Sequence, residues 1–454
     1  LACGLAIAGV GVGQPALADT ATLGAHPSDA ARPRTDDASV SPPPPAERRS
    51  GQAPVLLQGA FQLEATPAPA SNARHFTAVG TNVSALYLSR GASLHLRNPT
   101  ITSASQTSSM ENSRFEGQNA GLLATTRSHV AVSGGTIHTT GNGANAACAA
   151  DPDSAVTLEQ VDIHTQGAGA YGIDVVKGAA ATLKDATVRT DGIRSAALAI
   201  NGGGRILATG GAYATFGTRS PVLYSGGTLV VRDARMQAGA AEGAVVEGAN
   251  TVSVSDSTLR GKTHAVRIYQ RASSDASAQA GRFAMTGGTL STDQDALFHV
   301  TNTHAAIELD HVRLEAPGGR EAVLVEARAD RWGAAGRNGG TVRLQTHHQI
   351  LRGVIRADRL SEAQLALLDD SQLIGRTTRT GVTLDASSHW TLTSDSQVLA
   401  LNEPAGTPPD AIPNIDSQGH LLHYDPHLPA NAWLGGKRHA LPGGGMLLPD
   451  EKIR

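Results

Sequence analysis

Between Leu96 and Val398 one short phrase recurs about every 24 residues, and no other feature narrows the fold as much. Its clearest copy is Val254-Ser-Asp-Ser-Thr-Leu259: an apolar anchor, turn-prone residues, and a second apolar residue five positions on. The template places anchors at Leu96, Val132, Leu158, Leu183, Leu207, Val231, Val254, Met285, Leu309, Leu344, Leu368 and Leu392. A fixed period of this size marks a solenoid, in which each unit buries its apolar face only by stacking on the next.

The units are made of short strands. Ser84-Ala-Leu-Tyr-Leu-Ser89 reads as one, Ser93-Leu-His-Leu96 as the next, and Thr100-Ile-Thr102 as a third, after the turn Arg97-Asn98-Pro99. Such strands gain hydrogen-bond partners only from their copies in neighbouring units, and all units run the same way round, so pairing is parallel. No unit carries a sustained 3.6-residue apolar stripe, and glycine recurs every few positions, which argues against helix. Aromatic residues are only 3%, as suits a thin interior filled by small and β-branched side chains. The expected fold is all-β: a parallel β-helix of about twelve coils, three short strands per coil, forming a rod roughly 60 Å long.

Two positions after each anchor stands a residue suited to a tight corner, among them Asn98, Gly134, Gln160, Asp185, Thr209, Asp233, Asp256, Gly287, His311 and Asp370. Asn, Asp and Gly tolerate left-handed backbone, so turn formation explains the column. A catalytic explanation also exists. Polysaccharide lyases on parallel β-helices stack carboxylates on neighbouring coils, bind Ca²⁺, and use Arg or Lys as base. Asp233 and Asp256 lie one coil apart with Arg232 and Arg235 nearby. Ca²⁺ takes six to eight oxygens, however, and two acids flanked by Thr209 and Gly287 fall short. The histidines of 420–427 and the pair His347-His348 read as exposed polar residues rather than metal ligands, and no GxSxG nucleophile phrase occurs. No catalytic residue, metal ligand or cofactor is assigned.

Outside the repeat, residues 1–18 read as the apolar and cleavage parts of a secretory signal peptide, without its start, ending at Ala16-Leu17-Ala18. Residues 19–51 form a Pro/Ala-rich segment too poor in large apolar side chains to offset chain entropy. The β-helix is expected over 52–401, with an N-terminal cap from 52–75, and residues 402–454 as a Pro/Gly-rich tail or cap in which the segments 419–424 and 441–448 fold back as a hairpin. The net charge of −3 gives no basic face for a nucleic acid. Beyond Cys3, Cys148 stands alone, so no intramolecular disulfide is expected.

Three long steps show where extra chain leaves the rod: 103–118, 271–282 and 327–340. The last two leave from the same corner two coils apart and carry Arg271, Arg328, Arg331, Trp332 and Arg337. Insertions on one face of a solenoid often build its binding face, and a tryptophan among arginines can stack on a sugar or hold an acidic group.

Residues 84–106, SALYLSRGASLHLRNPTITSASQ, resemble the opening coils of the pertactin-like passenger domains of Gram-negative autotransporters. The phrase from Trp390 to Leu401, with Trp-x-x-Thr-x-x-Ser-x-Val-x-x-Leu spacing, is similar to a segment near the end of such passengers. The resemblance spans roughly residues 76–401. It implies a right-handed parallel β-helix, secreted or displayed at the bacterial outer membrane, that acts in adhesion to a host cell surface or glycan without catalysis or cofactor. Nothing after Leu401 has the length or alternation of the family's export barrel, and no Arg-Gly-Asp is present. The expectation is a passenger-like protein secreted without its own translocator, a shortened product, or a β-helix displayed through another partner such as a separate outer-membrane translocator. The alternative expectation is a Ca-dependent, lyase-like polysaccharide-active enzyme.

Overall fold

The computed structural model describes residues 55–68, 70–271, 280–403 and 412–453. The expected signal peptide and the Pro/Ala-rich segment lie outside the described residues, as do most of the 271–282 insertion and the spacer after Glu403.

Three sheets stack along the chain. Sheet A begins with Gln58–Glu64 and holds fifteen strands; sheet C begins with His75–Ala78 and holds ten. Sheet B begins with Ser71–Asn72 and continues to Met446–Pro449. Successive coils pair in parallel, and the only antiparallel pair among the described strands is His439–Ala440 against Met446–Pro449. The chain is a right-handed parallel β-helix, as its period and resemblance predict. Fifteen coils at about 4.8 Å give a rod ~67 Å long, more than twelve anchors implied.

Strands of sheets B and C alternate buried and exposed residues, so their inner columns are legible as period-two patterns. The sheet B column runs Leu96, Val132, Leu158, Leu183, then Ala208, Val231, Val254, Met285 and Leu309. The expected anchor Leu207 is therefore displaced by one: it is 42% exposed, whereas Ala208 is fully buried. The corner residue moves with it, from Thr209 to Gly210. Asn98, Gln160, Asp185, Asp233, Asp256 and His311 hold the positive φ that the turn explanation requires.

Three strands per coil hold only as far as Arg313–Glu315, the last strand of sheet C. From there a coil has two strands. The corner after sheet B is kept, at His348 and at Asp369-Asp370, but the chain then runs straight through the place of sheet C into sheet A. The strand Ile350–Ala357 shows how. Its first residues pair only forward, with Gln372 onward, while Val354 pairs back to Val323. At the change of direction Gly353 has φ 142, and a Cβ there would lie 2.1 Å from the Ala322 carbonyl oxygen. No other residue type fits such a bend without strain. The register now steps from Leu344 to Leu365 to Val382, shorter than the 24-residue period. Hence Leu368 is not the inner residue of its coil (Leu367 is), and Leu392 belongs to sheet A instead of sheet B.

The first strands of all three sheets lie within residues 58–78, so the expected cap region is itself a coil in register. Phe61 and Phe76 meet edge to face there at 5.2 Å, with the Arg74 guanidinium over both rings. At the other end, Leu421–Tyr424 and Met446–Pro449 pair in parallel, so the anticipated hairpin between them does not form; His439–Ala440 supplies the antiparallel partner. Asn431 ties this end down, donating to the Leu399 and Asp425 carbonyls and accepting from the Leu401 amide.

Candidate ligand-binding face on sheet A

Over its middle strands sheet A differs from the other two sheets in being buried on both faces. Strands such as Ala147–Ala150, Ile173–Val176 and Leu198–Asn201 show no exposed residue. Their inner residues fill the coil; the outer residues form a second column, Tyr87, Leu123, Cys148, Asp174, Ala199, Tyr224, Val245, Arg267, His299, Glu326 and Arg356, one per coil. That column passes from apolar to polar to fully ionic along the rod.

The apolar end is covered by the first insertion. It contains a short helix, Met110–Glu116, started by the Ser109 hydroxyl, which accepts from the Asn112 amide, and ended by Gly117 in left-handed conformation. Gly117 sits directly on the sheet: a Cβ there would meet Cys148 Sγ at 2.6 Å. Cys148 is a free, fully buried thiol whose pKa burial pushes well above its ordinary value, so it packs rather than reacts. Glu116 of the helix pairs with Lys177, and Arg114 lies over the Tyr171 ring at 5.6 Å.

Beside the helix opens a cleft of about 370 Å³, lined by Arg114, Phe115, Asn201, Tyr224, Glu247, Asn250, Gln270 and Arg271 among others. Its charge centre is Glu247. That carboxylate accepts from the hydroxyl of Tyr224, from Arg271 Nη2, and from the Tyr269 hydroxyl at 3.5 Å; Arg271 also donates to the Tyr224 oxygen at 2.6 Å. Burial, then the negative charge of Glu247, raises the pKa of both phenols, so the two tyrosines stay neutral donors. Among the described residues nothing donates to Gln270 Oε1, a buried acceptor in the cleft wall. Behind the cleft, Asp174 is fully buried and accepts from Asn201 at 2.8 Å and Asn145 at 2.9 Å. Burial pushes its carboxyl up to about 8, against the pull of Asn201, Arg114 and Asn145.

Farther along, the column becomes an ionic network. Arg267 pairs with Glu242 at 2.8 Å. The His264 and His299 rings lie 4.9 Å apart, and His299 stands 3.5 Å from both Glu326 and Asp330. Arg356 donates twice to Glu326, and Arg328 reaches its other oxygen at 3.2 Å. Burial and then Arg267 depress His264 to about 4, so its ring is neutral at pH 7. Burial alone would raise Glu326, but His299, Arg328 and Arg356 outweigh it and hold the carboxyl at about 2.

The residues anticipated from the insertions fall on or beside this face. Arg271 is a wall of the cleft, with its guanidinium engaged by Glu247 and Tyr224 rather than extended into solvent. The loops after Val266–Tyr269 and Val323–Ala327 do leave sheet A two coils apart. The second returns Trp332 over Tyr269 at 5.1 Å, with Arg331 stacked on the indole at 5.0 Å. Arg328 serves Glu326, and Arg337 lies exposed at the loop's far side. Arg114, Asp174, Tyr224, Glu247 and Tyr269 were not anticipated. Their signal was available: Ile173-Asp-Val-Val176 is a polar residue inside a run that otherwise reads as buried on both faces. No protein-family model matches the chain, and no curated protein matches it.

Proposed function

We propose that this protein is a secreted, pertactin-like β-helical rod that works by non-catalytic binding, and that the outer face of sheet A is where it binds. One observation carries the reading: a cleft of about 370 Å³ beside the covered middle of sheet A, walled by the helix of the first insertion and by Arg271 and lined by aromatic, amide and charged side chains. The Tyr224 ring, the Arg114 guanidinium and a buried Gln270 amide oxygen with no donor among the described residues suit a hydroxyl-rich ligand such as a surface glycan. The rod serves as a spacer that holds this face away from the bacterial surface. Binding to arrayed glycans and to host cells tests the proposal. Gln270→Ala and Arg114→Ala should each weaken binding by about tenfold, the equivalent of ~1.4 kcal/mol. Unchanged binding by both variants would remove the cleft from consideration. Trp332→Ala with Arg331→Ala reports separately on the neighbouring loop.

A second reading, a polysaccharide-active enzyme, draws on Glu247, a carboxylate beside an open cleft with two phenols and an arginine around it. It supplies one carboxylate where a Ca-dependent lyase site needs several. Incubation with polyuronates and Ca²⁺ separates the two readings: unsaturated product, seen by ultraviolet absorbance, would make the enzyme reading primary.

A further inference from the structure

The corner after sheet B is filled by Asn, Asp, Gln or Gly in most coils, residue types that accept a left-handed backbone readily. In the tenth and eleventh coils, and in succession, it is filled by histidine: His311 at φ 54 and His348 at φ 48. The turn alone does not ask for an imidazole. The two rings are stacked, 4.7 Å between centroids, and both Nδ1 atoms face one carboxylate oxygen, Asp310 Oδ1, at 2.5 and 3.3 Å. The geometry points to a divalent transition-metal site, for an ion of the zinc, nickel or copper class, formed by Asp310, His311 and His348 where the three-sheet coils end.

The donor set decides the class of ion. Two imidazoles and one carboxylate suit zinc, nickel or copper, whereas Ca²⁺ and Mg²⁺ require mostly oxygen ligands. The three donor atoms all lie within 4.8 Å of one another. An ion about 2.1 Å from each donor holds neighbouring donors roughly 3–4 Å apart, so His311 Nδ1 moves outward from Asp310 Oδ1 to admit it, a rotation its exposed ring allows. The backbone beneath is already fixed. His347 is the register partner of Asp310 and is held by Asp369 at 2.7 Å. Gln349, the residue after His348, both donates to and accepts from the Val312 backbone, one coil back. These contacts keep the two corners in register without occupying the three donors' outer side. Three protein donors leave a fourth position for water or for a donor from a second molecule.

The position gives the site a role. Asp310 and His311 lead into Arg313–Glu315, the last strand of sheet C, and His348 leads into Ile350–Ala357, the first strand that merges two sheets. A metal there clamps the last three-sheet coil to the first two-sheet coil across the outer corner.

The test uses protein stripped of metal by chelator and titrated calorimetrically with Zn²⁺, Ni²⁺ and Ca²⁺ separately. One Zn²⁺ or Ni²⁺ equivalent should bind, Ca²⁺ should not, and unfolding should shift to higher temperature with added Zn²⁺ because the ion binds only the folded corner. His311→Asn and His348→Asn keep a residue that accepts left-handed backbone, so both should fold, with unchanged circular dichroism. Each should bind more weakly by more than the roughly tenfold that loss of even an outer partner costs. His138→Asn, in a different histidine stack, should bind as the parent does. Absence of Zn²⁺ binding, or binding undiminished in both corner variants, would overturn the site. Histidine modification by diethyl pyrocarbonate, mapped by mass spectrometry on the unmutated protein, removes any dependence on variant folding. Zn²⁺ should protect His311 and His348, and failure to protect them would sink the proposal.

Discussion

Between Gln58 and Glu315 each coil is built from three strands, and between Gly340 and Pro449 from two, though one interior runs through both. In four successive three-sheet coils the connection from sheet C to sheet A closes on a side chain. Thr139, Thr165, Thr190 and Thr215 stack in one inner column, fully buried, and each hydroxyl donates to a carbonyl five residues on. In the two-sheet coils there is no such connection to close. The bend is taken up by backbone instead, at Gly353 and its register partner Gly375, and the space is filled by one large side chain. Trp390 is fully buried against Leu373 and donates from Nε1 to the Gly375 carbonyl at 3.0 Å. A solenoid can thus change its cross-section midway provided the inner columns stay in register and every freed backbone group finds a partner.

Substitutions can break that comparison in order of expected size. Trp390→Ala should cost about 3–5 kcal/mol, because it leaves a cavity and an unpaired carbonyl. Hydrogen exchange should show the loss in residues 340–449 with the three-sheet coils still protected; uniform loss would mean that the two sections unfold as one. Gly353→Ala comes next. Strained backbone alone costs about 1–3 kcal/mol, and the added methyl also meets the Ala322 oxygen, so a lower chemical-denaturation midpoint is expected.

The pH dependence differs between regions too. Asp174 keeps its proton in the fold up to about 8, while its ordinary value is 3.8. Between those values the folded state carries the extra proton, so stability falls as pH rises, by up to ~1.4 kcal/mol per unit. Asp174→Asn should flatten that slope in denaturation curves taken across this range. Glu326 acts in the opposite sense: its folded value of about 2 lies below 4.5, so its contribution is present above that value and disappears as pH falls through 2. Smallest of all, Thr165→Val removes one rung of the ladder and strands the Ala170 carbonyl, at about 1 kcal/mol by thermal unfolding. A null result there would show that its neighbours in the ladder carry the closure.

Much of the scaffold was legible. Leu96, Val132, Leu158, Leu183, Val231, Val254, Met285 and Leu309 all lie in one inner column, and Ile101, Ile137, Ile163, Met236, Leu259 and Leu290 in another. The misplacement of Leu207 has a simple cause. In Arg205-Ile-Leu-Ala-Thr209 two apolar residues adjoin, and hydrophobicity favours the larger as the buried one; stacking on Leu183 puts Ala208 inside instead. The apparent 24-residue steps from Leu344 to Leu368 to Leu392 jump between sheets, because a shortened coil still offers an apolar residue near any chosen spacing. The candidate face was only partly visible. Arg271, Arg331 and Trp332 stood out as insertion residues, whereas Glu247, Tyr224 and Asp174 sit in ordinary strands, and their meeting depends on which strand stacks on which and on where the helix of the first insertion lands.

By itself, then, the sequence determined the all-β solenoid, the parallel stacking of its coils and most of the residues that turn its corners. These follow from local patterning repeated along the chain, where each unit dictates the same answer as the last. The tertiary structure alone decided where three sheets become two, which sheet is covered on both faces, and which distant polar residues share a cleft. Those depend on which coil stacks against which, and on where an insertion lands after leaving the rod, neither of which any single repeat encodes.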